Sequence, residues 1–239
     1  MPNKKPSPFL EGMRDGLPIG LGYFAVAFSL GIAAKSAGVT PLQGFTASFL
    51  CMASAGEYAL FTLIGAGAPV LEVIVLTLIT NARYFLMSCA LSQRFSPETP
   101  FFHRLTVGAV VTDEVFGATI ARKGYVEPAY NYGMILLAVP GWSVGTALGI
   151  IMGTLLPARL VSALSVALYG MFLATIIPPM KKSLPIALCV ACGFLFSWLF
   201  GVLPLLSGIS TGMRTIILTV VLSAAAALVF PAKEEARDE

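Results

Sequence analysis

The stretch from Gly44 to Ser92, GFTASFLCMASAGEYALFTLIGAGAPVLEVIVLTLITNARYFLMSCALS, decides the fold and reads as two apolar helices joined by a Gly/Pro turn at Gly65 to Pro69. Each helix carries an ion flanked on both sides by apolar sequence. Glu57 follows the small-residue run Ala53-Ser54-Ala55-Gly56, and Arg83 stands in Asn81-Ala82-Arg83-Tyr84. A charge at the centre of a bilayer helix costs about 2.5 to 3.5 kcal/mol on insertion scales, so such residues face a bundle interior or a wet cavity and mark a pathway. Counted outward from the turn at about 1.5 Å per residue, the two charges differ in depth by roughly 7 Å, a gap that long side chains close. The expectation is a polar site at mid-membrane with Glu57 and Arg83 as its electrostatic pair. The competing reading is a salt bridge that only orders the two helices. Buried ion pairs add little net stability, which makes that reading the less economical one.

Composition extends the same pattern to the whole chain. Of 239 residues, 57% are hydrophobic and 11% charged, against roughly 25% charged for a soluble domain. Apolar runs of about 18 or more residues recur along the sequence, each long enough for about 30 Å of hydrocarbon. The alternating segments of a transmembrane barrel are absent. The fold class is therefore all-α, a polytopic bundle of about seven to eight segments, some of them broken, in a single membrane domain over residues 1–239. A net charge of +3 gives no indication of nucleic acid as a partner.

Basic residues Lys4, Lys5 and Arg14 precede the first span, Arg122 and Lys123 follow the fourth apolar segment, Lys181 and Lys182 the sixth, and Lys233 and Arg237 close the chain. If Leu105 to Ala121 crosses, these clusters share one side, leaving Lys35, Arg94, Arg104, Arg159 and Arg214 on the other. That places both termini in the cytoplasm. If it does not cross, the bias is expected to weaken. No cleavable signal peptide is evident, because the first apolar run opens with Pro18 and glycines and leads straight into the bundle. Cys51, Cys89, Cys189 and Cys192 all lie in apolar stretches; the pair Cys189-Val-Ala-Cys192 has CxxC spacing but no lysine, arginine or histidine in its span to lower a thiol pKa, and the cysteines read as core residues.

Residues 1–8 are polar and proline-broken and read as a disordered lead. In the first span, about Gly16 to Ala34, Pro18 and the glycines at 16, 20 and 22 predict an unwound or kinked helix near its cytoplasmic end. The segment LTVGAVVTDEVFGATIARK holds Thr112, Asp113 and Glu114 at its centre, and three readings of it stay open. One is a surface loop in which Thr112 caps a helix and the acids favour its dipole. Another is a discontinuous or re-entrant segment whose break at Thr112 lines a cavity. The third, a metal site, is disfavoured because the single histidine, His103, lies well away in sequence.

In YGMILLAVPGWSVGTALGIIMGTLLP, Pro140-Gly141 interrupts the span, and Gly141, Gly145, Gly149 and Gly153 form one smooth helix face for close backbone approach. The partner of that strip lies either within the chain or on a second copy in a homo-oligomer. The first span carries a related series at Gly12, Gly16 and Gly20. Pro18 precedes Gly31 by the interval that separates Pro140 from Gly153. This suggests a weak internal two-fold repeat, with halves at about 9–123 and 132–230, and helix breaks near the site at Pro18, Gly20, Pro140 and Gly141. The spans at about Leu160 to Ile177, Leu184 to Leu203 and Met213 to Phe230 hold no internal ion and read as scaffold. Trp142 and Trp198 are candidate interfacial anchors, and the tail 231–239 is solvated charge.

The segments GLPIGLGYFAVAFSLG, ASAGEYALFTLIGAG, NARYFLMSCALS and VVTDEVFGA together resemble the AzlC family of branched-chain amino acid exporters, over essentially the whole chain from Phe9 to the last span. The resemblance implies the large subunit of a carrier for valine, leucine, isoleucine and sometimes methionine, working with a small AzlD-type membrane subunit in the cytoplasmic (inner) membrane. It also gives Arg83, Tyr84, Thr112, Asp113 and Glu114 the status of motif residues. Glu57 departs from the family pattern, where glutamine is common at that position. An acid can carry a proton and an amide cannot.

A zwitterionic substrate with an apolar side chain needs a positive group for its carboxylate, an acid for its ammonium, and a dry pocket. Arg83 and a broken-helix N-terminus near Pro18 or Pro140 fit the first need. Glu57 or Asp113 fits the second, or carries a coupling proton. Asn81, Tyr84, Thr112 and Glu114 complete the expected pathway. No metal or cofactor is expected. An intramembrane enzyme using Asp113, Glu114 or Cys189 lacks HExxH, GxSxG or a nucleophile beside a base. A non-transporting assembly subunit is the remaining alternative, suggested by the glycine strip.

Overall fold

The computed structural model describes residues 6–203 and 209–230. The charged tail, Lys4 and Lys5 lie outside the described residues. Ten helices are described: α1 Pro8–Ser36, α2 Pro41–Leu50, α3 Ser54–Gly65, α4 Val70–Ser92, α5 Phe101–Ala109, α6 Asp113–Ile120, α7 Pro128–Met152, α8 Ala158–Lys182, α9 Leu184–Val202 and α10 Thr211–Val229. Five of these (α1, α4, α7, α9 and α10) contain a stretch long and apolar enough to cross a membrane.

The core is the pair α1 and α7. Gly12 meets Tyr130, Gly16 meets Met134, Gly20 meets Leu137, and Gly31 meets Gly149, so the contacts advance together and the two helices run parallel. The glycine strip thus has an internal partner. A methyl group at Gly145 would stand 2.7 Å from the Phe24 carbonyl oxygen, and one at Gly16 would stand 2.6 Å from Met134 Cα. In lipid, where burying apolar surface between helices gains little, such backbone approach supplies the van der Waals contact that holds helices together.

This contact corrects two expectations. Both helices run unbroken through Pro18 and Pro140, so neither Pro18 and Gly20 nor Pro140 and Gly141 mark a break. Gly20 and Gly141 are instead the point where the two backbones touch. Gly153 sits at the C-cap of α7, beside its own helix and Lys35. The helical order also begins earlier than expected, at Pro8, with Ser7 capping α1.

The true breaks fall elsewhere. The first helix of the Gly44 to Ser92 stretch is two helices, interrupted at Cys51, Met52 and Ala53, and Glu57 lies in the first turn of α3 rather than mid-helix. Cys51 (ψ 82°) and Ala53 (φ −140°, ψ 106°) leave the helical region, although no proline forces them. Thr40 opens α2 with a capping box, in which Gln43 Oε1 accepts from the Thr40 amide at 2.9 Å. Similarly, Leu105 to Ala121 is not one helix but α5 and α6, separated at Val110 to Thr112.

Contact register gives the direction of each piece. Gly44 meets Ile150 while Ser48 meets Thr146, so α2 runs antiparallel to α7. Ser54 shares a cavity with Tyr23, and Gly65 meets Ala37, so α3 returns parallel to α1. The α2–α3 unit is therefore a hairpin that begins and ends beside the C-terminus of α1. On the opposite side, Ser88 Oγ donates to the Gly108 carbonyl at 2.7 Å and Arg104 reaches Ser92, so α5 runs antiparallel to α4. Asp113 then pairs with Arg83, and the Val126 amide donates to the Arg94 carbonyl at 2.8 Å, so α6 returns along α4. This second hairpin begins and ends beside the C-terminus of α4.

The outer helices are thinly packed. α9 buries no residue, and Trp198 on it is exposed, as an interfacial anchor requires. Trp142 is 3% exposed and is no anchor. α8 runs through Pro178-Pro179, expected as a separator, and ends at Ser183.

Candidate functional site

The tips of the two hairpins approach each other across α1 and α7. Between them is a cavity of about 400 Å³, lined by Pro18, Ile19, Gly22, Tyr23 and Val26 of α1, Ser54 of α3, Glu114 of α6 and Trp142 of α7. That size is in the range of small-ligand sites. Its chemistry is divided. Pro18, Ile19 and Val26 give an apolar wall, Glu114 an acid, and Ser54 the first turn of α3. The N-cap of α3 is Ala53, which makes no side-chain cap bond, so that turn presents backbone amides with no capping oxygen. The second tip is capped, the Thr112 side chain accepting from the Val115 amide at 3.4 Å. The expected cap at Thr112 with Asp113 and Glu114 in the first turn is thus present, and both acids are exposed, but Thr112 itself is 2% exposed, so the break between α5 and α6 lies inside the fold and not in a surface loop.

Glu57 lies behind the cavity wall, fully buried. The Trp142 indole N–H donates to Glu57 Oε2 at 2.6 Å, and the Ser48 hydroxyl donates to Oε1. Thr146 Oγ1 is 2.7 Å from Ser48 Oγ, and since a hydroxyl has one proton, Ser48 giving its own to Glu57 accepts from Thr146. The direct partners of Glu57 can be satisfied in two protonation states. A proton on Oε1 is donated to Ser48, whose hydroxyl turns to Thr146, while the indole, a donor only, keeps its bond to Oε2. Both direct partners of Glu57 thus stay bonded in either state, and the Thr146 hydroxyl changes from donor to acceptor toward Ser48.

The expected Glu57–Arg83 pair does not form. Arg83 Nη2 is 2.8 Å from Asp113 Oδ2, and the two ion pairs among the described residues are this one and Arg122–Glu11 at 2.6 Å. The reason is the α2–α3 break. It turns Glu57 toward α7, while Arg83 on α4 faces the tip of the other hairpin. Arg83 also donates to the Tyr84 hydroxyl at 3.0 Å. Asn81, three residues before Tyr84, braces the first tip: its side chain packs on Gly56 and its Nδ2 is 3.7 Å from Cys51 Sγ. Glu114 accepts from the Tyr23 hydroxyl, and the Tyr23 ring meets Trp142 edge-on with centroids 5.4 Å apart. Thus Glu57, Trp142, Tyr23 and Glu114 form one connected line along the cavity.

His103 Nδ1 is 2.8 Å from the Tyr132 hydroxyl, away from the acids. Among the described residues no cluster of His, Cys, Asp and Glu could hold a metal. Ser48, Thr146, Trp142, Tyr23 and Ser54 were not read as site residues from the sequence. Polar side chains in otherwise apolar helices were the signal available for them.

The model of one family, described as AzlC protein, matches residues 18–156. The chain belongs to the AzlC family. The AzlC match takes in both hairpins and α7 and stops before α8. Among relatives, an "Uncharacterized membrane protein" of Archaeoglobus fulgidus is 29% identical over 179 residues, covering 74% of this chain and 78% of its own length. The "Inner membrane protein YgaZ" of Escherichia coli is 28% identical over 162 residues, 64% of this chain and 66% of the relative. A Helicobacter pylori membrane protein is 24% identical over 153 residues, 61% of this chain and 66% of the relative. No solved structure matches the chain.

Proposed function

We propose that this AzlC-family protein is a secondary transporter exporting branched-chain or other hydrophobic amino acids, coupled to protons. The observation that carries the reading is the cavity between two hairpin tips that come from opposite ends of the bundle, with a buried carboxyl directly behind its wall. Broken helices meeting at mid-membrane, with unsatisfied helix ends turned to a cavity, are how transporters hold charged substrates in lipid.

Arg83 is engaged by Asp113, so the substrate carboxylate is assigned to the uncapped N-terminus of α3 at Ser54. Glu114 takes the ammonium, and Pro18, Ile19 and Val26 take the side chain. Glu57 carries the coupling proton through the Ser48–Thr146 hydroxyls. Arg83, Tyr84 and Asp113 hold the second tip to α4. The protein acts as a carrier and not an enzyme. The assembly-subunit reading loses its motive, because the glycine strip is occupied by α1. From the family resemblance we also propose an AzlD-type small subunit as partner.

In this reading the six long helices α1, α4, α7, α8, α9 and α10 cross, and the hairpins α2–α3 and α5–α6 do not, giving six crossings in place of seven or eight. The internal repeat is inverted, α1–α3 against α4–α6, each a long helix followed by a hairpin beginning at its end. The halves 9–123 and 132–230 fit less well, since α8 after α7 is unbroken where α1 is followed by a hairpin. Lys4, Lys5, Arg14, Arg94, Arg104, Arg122, Lys123, Lys181, Lys182, Lys233 and Arg237 then share one side, against Lys35, Arg159 and Arg214. That imbalance exceeds the one expected had Leu105 to Ala121 crossed, and it puts both termini in the cytoplasm of an inner membrane.

The test is efflux of labelled leucine from loaded vesicles under an imposed pH gradient, native protein against Glu57→Gln. The expected result is loss of gradient dependence in the variant with leucine exchange retained. Unchanged dependence removes Glu57 from coupling.

A further inference from the structure

The indole of Trp142 belongs to two structures at once. Its ring is part of the cavity wall, and its N–H is bonded to the buried Glu57, which itself does not line the cavity. Its other wall neighbour is Tyr23, whose hydroxyl is bonded to Glu114. Whatever changes the hold of Glu57 on the indole therefore changes the shape of the cavity. Hydrogen bonds to an ionised group are roughly twice as strong as those between neutral groups. An ionised Glu57 pins the indole, and a protonated one, still accepting at Oε2, holds it more loosely.

We propose that Trp142 is the positioning residue through which protonation of Glu57 reaches the cavity, so that the proton sets whether the wall is fixed against Tyr23 or free to move. This rests on the cavity being the amino acid site. The proton enters at Glu57 Oε1 and is donated to Ser48 Oγ; the Ser48 hydroxyl turns to donate to Thr146, and the Thr146 proton, which had been donated to Ser48, turns away from it. The groups facing Glu57 and the indole are Ser48 of α2, Cys51 at the break, Trp142 and Thr146 of α7, Asn81 of α4 packed on the adjoining Gly56, and Tyr23 with Glu114 across the cavity. Of these, Cys51, Tyr23 and Glu114 carry ionisable groups besides Glu57. Arg83 and Asp113 are paired with each other.

The chain has two tryptophans, and the other, Trp198, is exposed on α9 away from the cavity. In a Trp198→Phe background the emission of the full-length protein in lipid nanodiscs reports Trp142 alone. The expected result is one pH-dependent step in emission that is lost in Glu57→Gln and kept in Glu114→Gln and Cys51→Ser. A step that persists in Glu57→Gln overturns the proposal, as does a step lost only in Glu114→Gln. Trp142→Phe keeps an aromatic ring in the wall and removes the N–H together with part of the ring. It is expected to lose the effect of a pH gradient on leucine efflux, and full gradient dependence in that variant also overturns the proposal. Adding leucine separates the two readings. An emission that follows pH through Glu57 but ignores leucine leaves the indole link standing and refutes the cavity as the amino acid site.

Discussion

Glu57 is held by one indole and one hydroxyl hydrogen, with no cation, so the order of importance among its neighbours can be predicted. Ser48→Ala removes a donor from Oε1 and leaves a buried carboxyl oxygen unsatisfied, at a cost of about 1 to 3 kcal/mol. Thr146→Ala removes the outer member of the chain and leaves both direct donors of Glu57 in place, so a smaller loss is expected, about 0.5 to 1.5 kcal/mol. Thermal unfolding in detergent should therefore rank native above Thr146→Ala above Ser48→Ala, and the reverse order between the two variants would show that Ser48 is not the inner donor. The ions themselves were legible in the sequence, because a charge in an apolar helix is costly. Their partners were not. Ser48, Trp142 and Thr146 are joined to the site by contacts that exist only once α2 turns back as α3 and both pack on α7.

At the scale of elements, the legibility of the two breaks differs for a physical reason. Val110-Val111-Thr112 combines β-branched residues with a helix-capping threonine followed by two acids, and the break lies there. Cys51-Met52-Ala53 contains neither proline nor glycine and nothing in it marks a stop, so the first tip is imposed by packing. Pro18 and Pro140 misled in the opposite direction: their helices continue because a parallel neighbour holds the backbone on its glycine face. Re-entrance has a direct consequence for labelling. In a protein cleared of its four native cysteines, Lys35→Cys and Ala66→Cys flank the first hairpin, while Glu98→Cys and Lys123→Cys flank the second. An impermeant thiol reagent should modify the first two from one side of the membrane and the last two from the other. Modification of Lys35→Cys and Ala66→Cys from opposite sides would mean that α2–α3 crosses.

The whole molecule divides into a dense part and a thin one. In the apolar stretches of α1 and α7, 39% and 44% of residues are buried, whereas those of α4, α9 and α10 bury 6% or less. α10 is nevertheless fixed at one point by chemistry other than apolar contact. Glu72, in the first turn of α4, accepts from Ser210 Oγ at 2.6 Å and from the Met213 amide at 3.0 Å, so a carboxylate on one helix caps the N-terminus of another. The helix dipole favours a negative group there, and among the described residues the Ser210 hydroxyl, itself 3.2 Å from the same amide, is the other cap in place. Glu72→Ala should cost about 1 kcal/mol, the usual value of a lost cap. Because α10 shares so little buried surface with the rest, that loss should appear locally. Amides at the start of α10 are expected to exchange hydrogen faster, while those of α1 and α7 keep their protection and the unfolding temperature moves little. Unchanged exchange at Met213 would mean that Ser210 alone holds the cap. Faster exchange throughout α1 and α7 would mean that the dense core depends on its periphery, against the division drawn from burial.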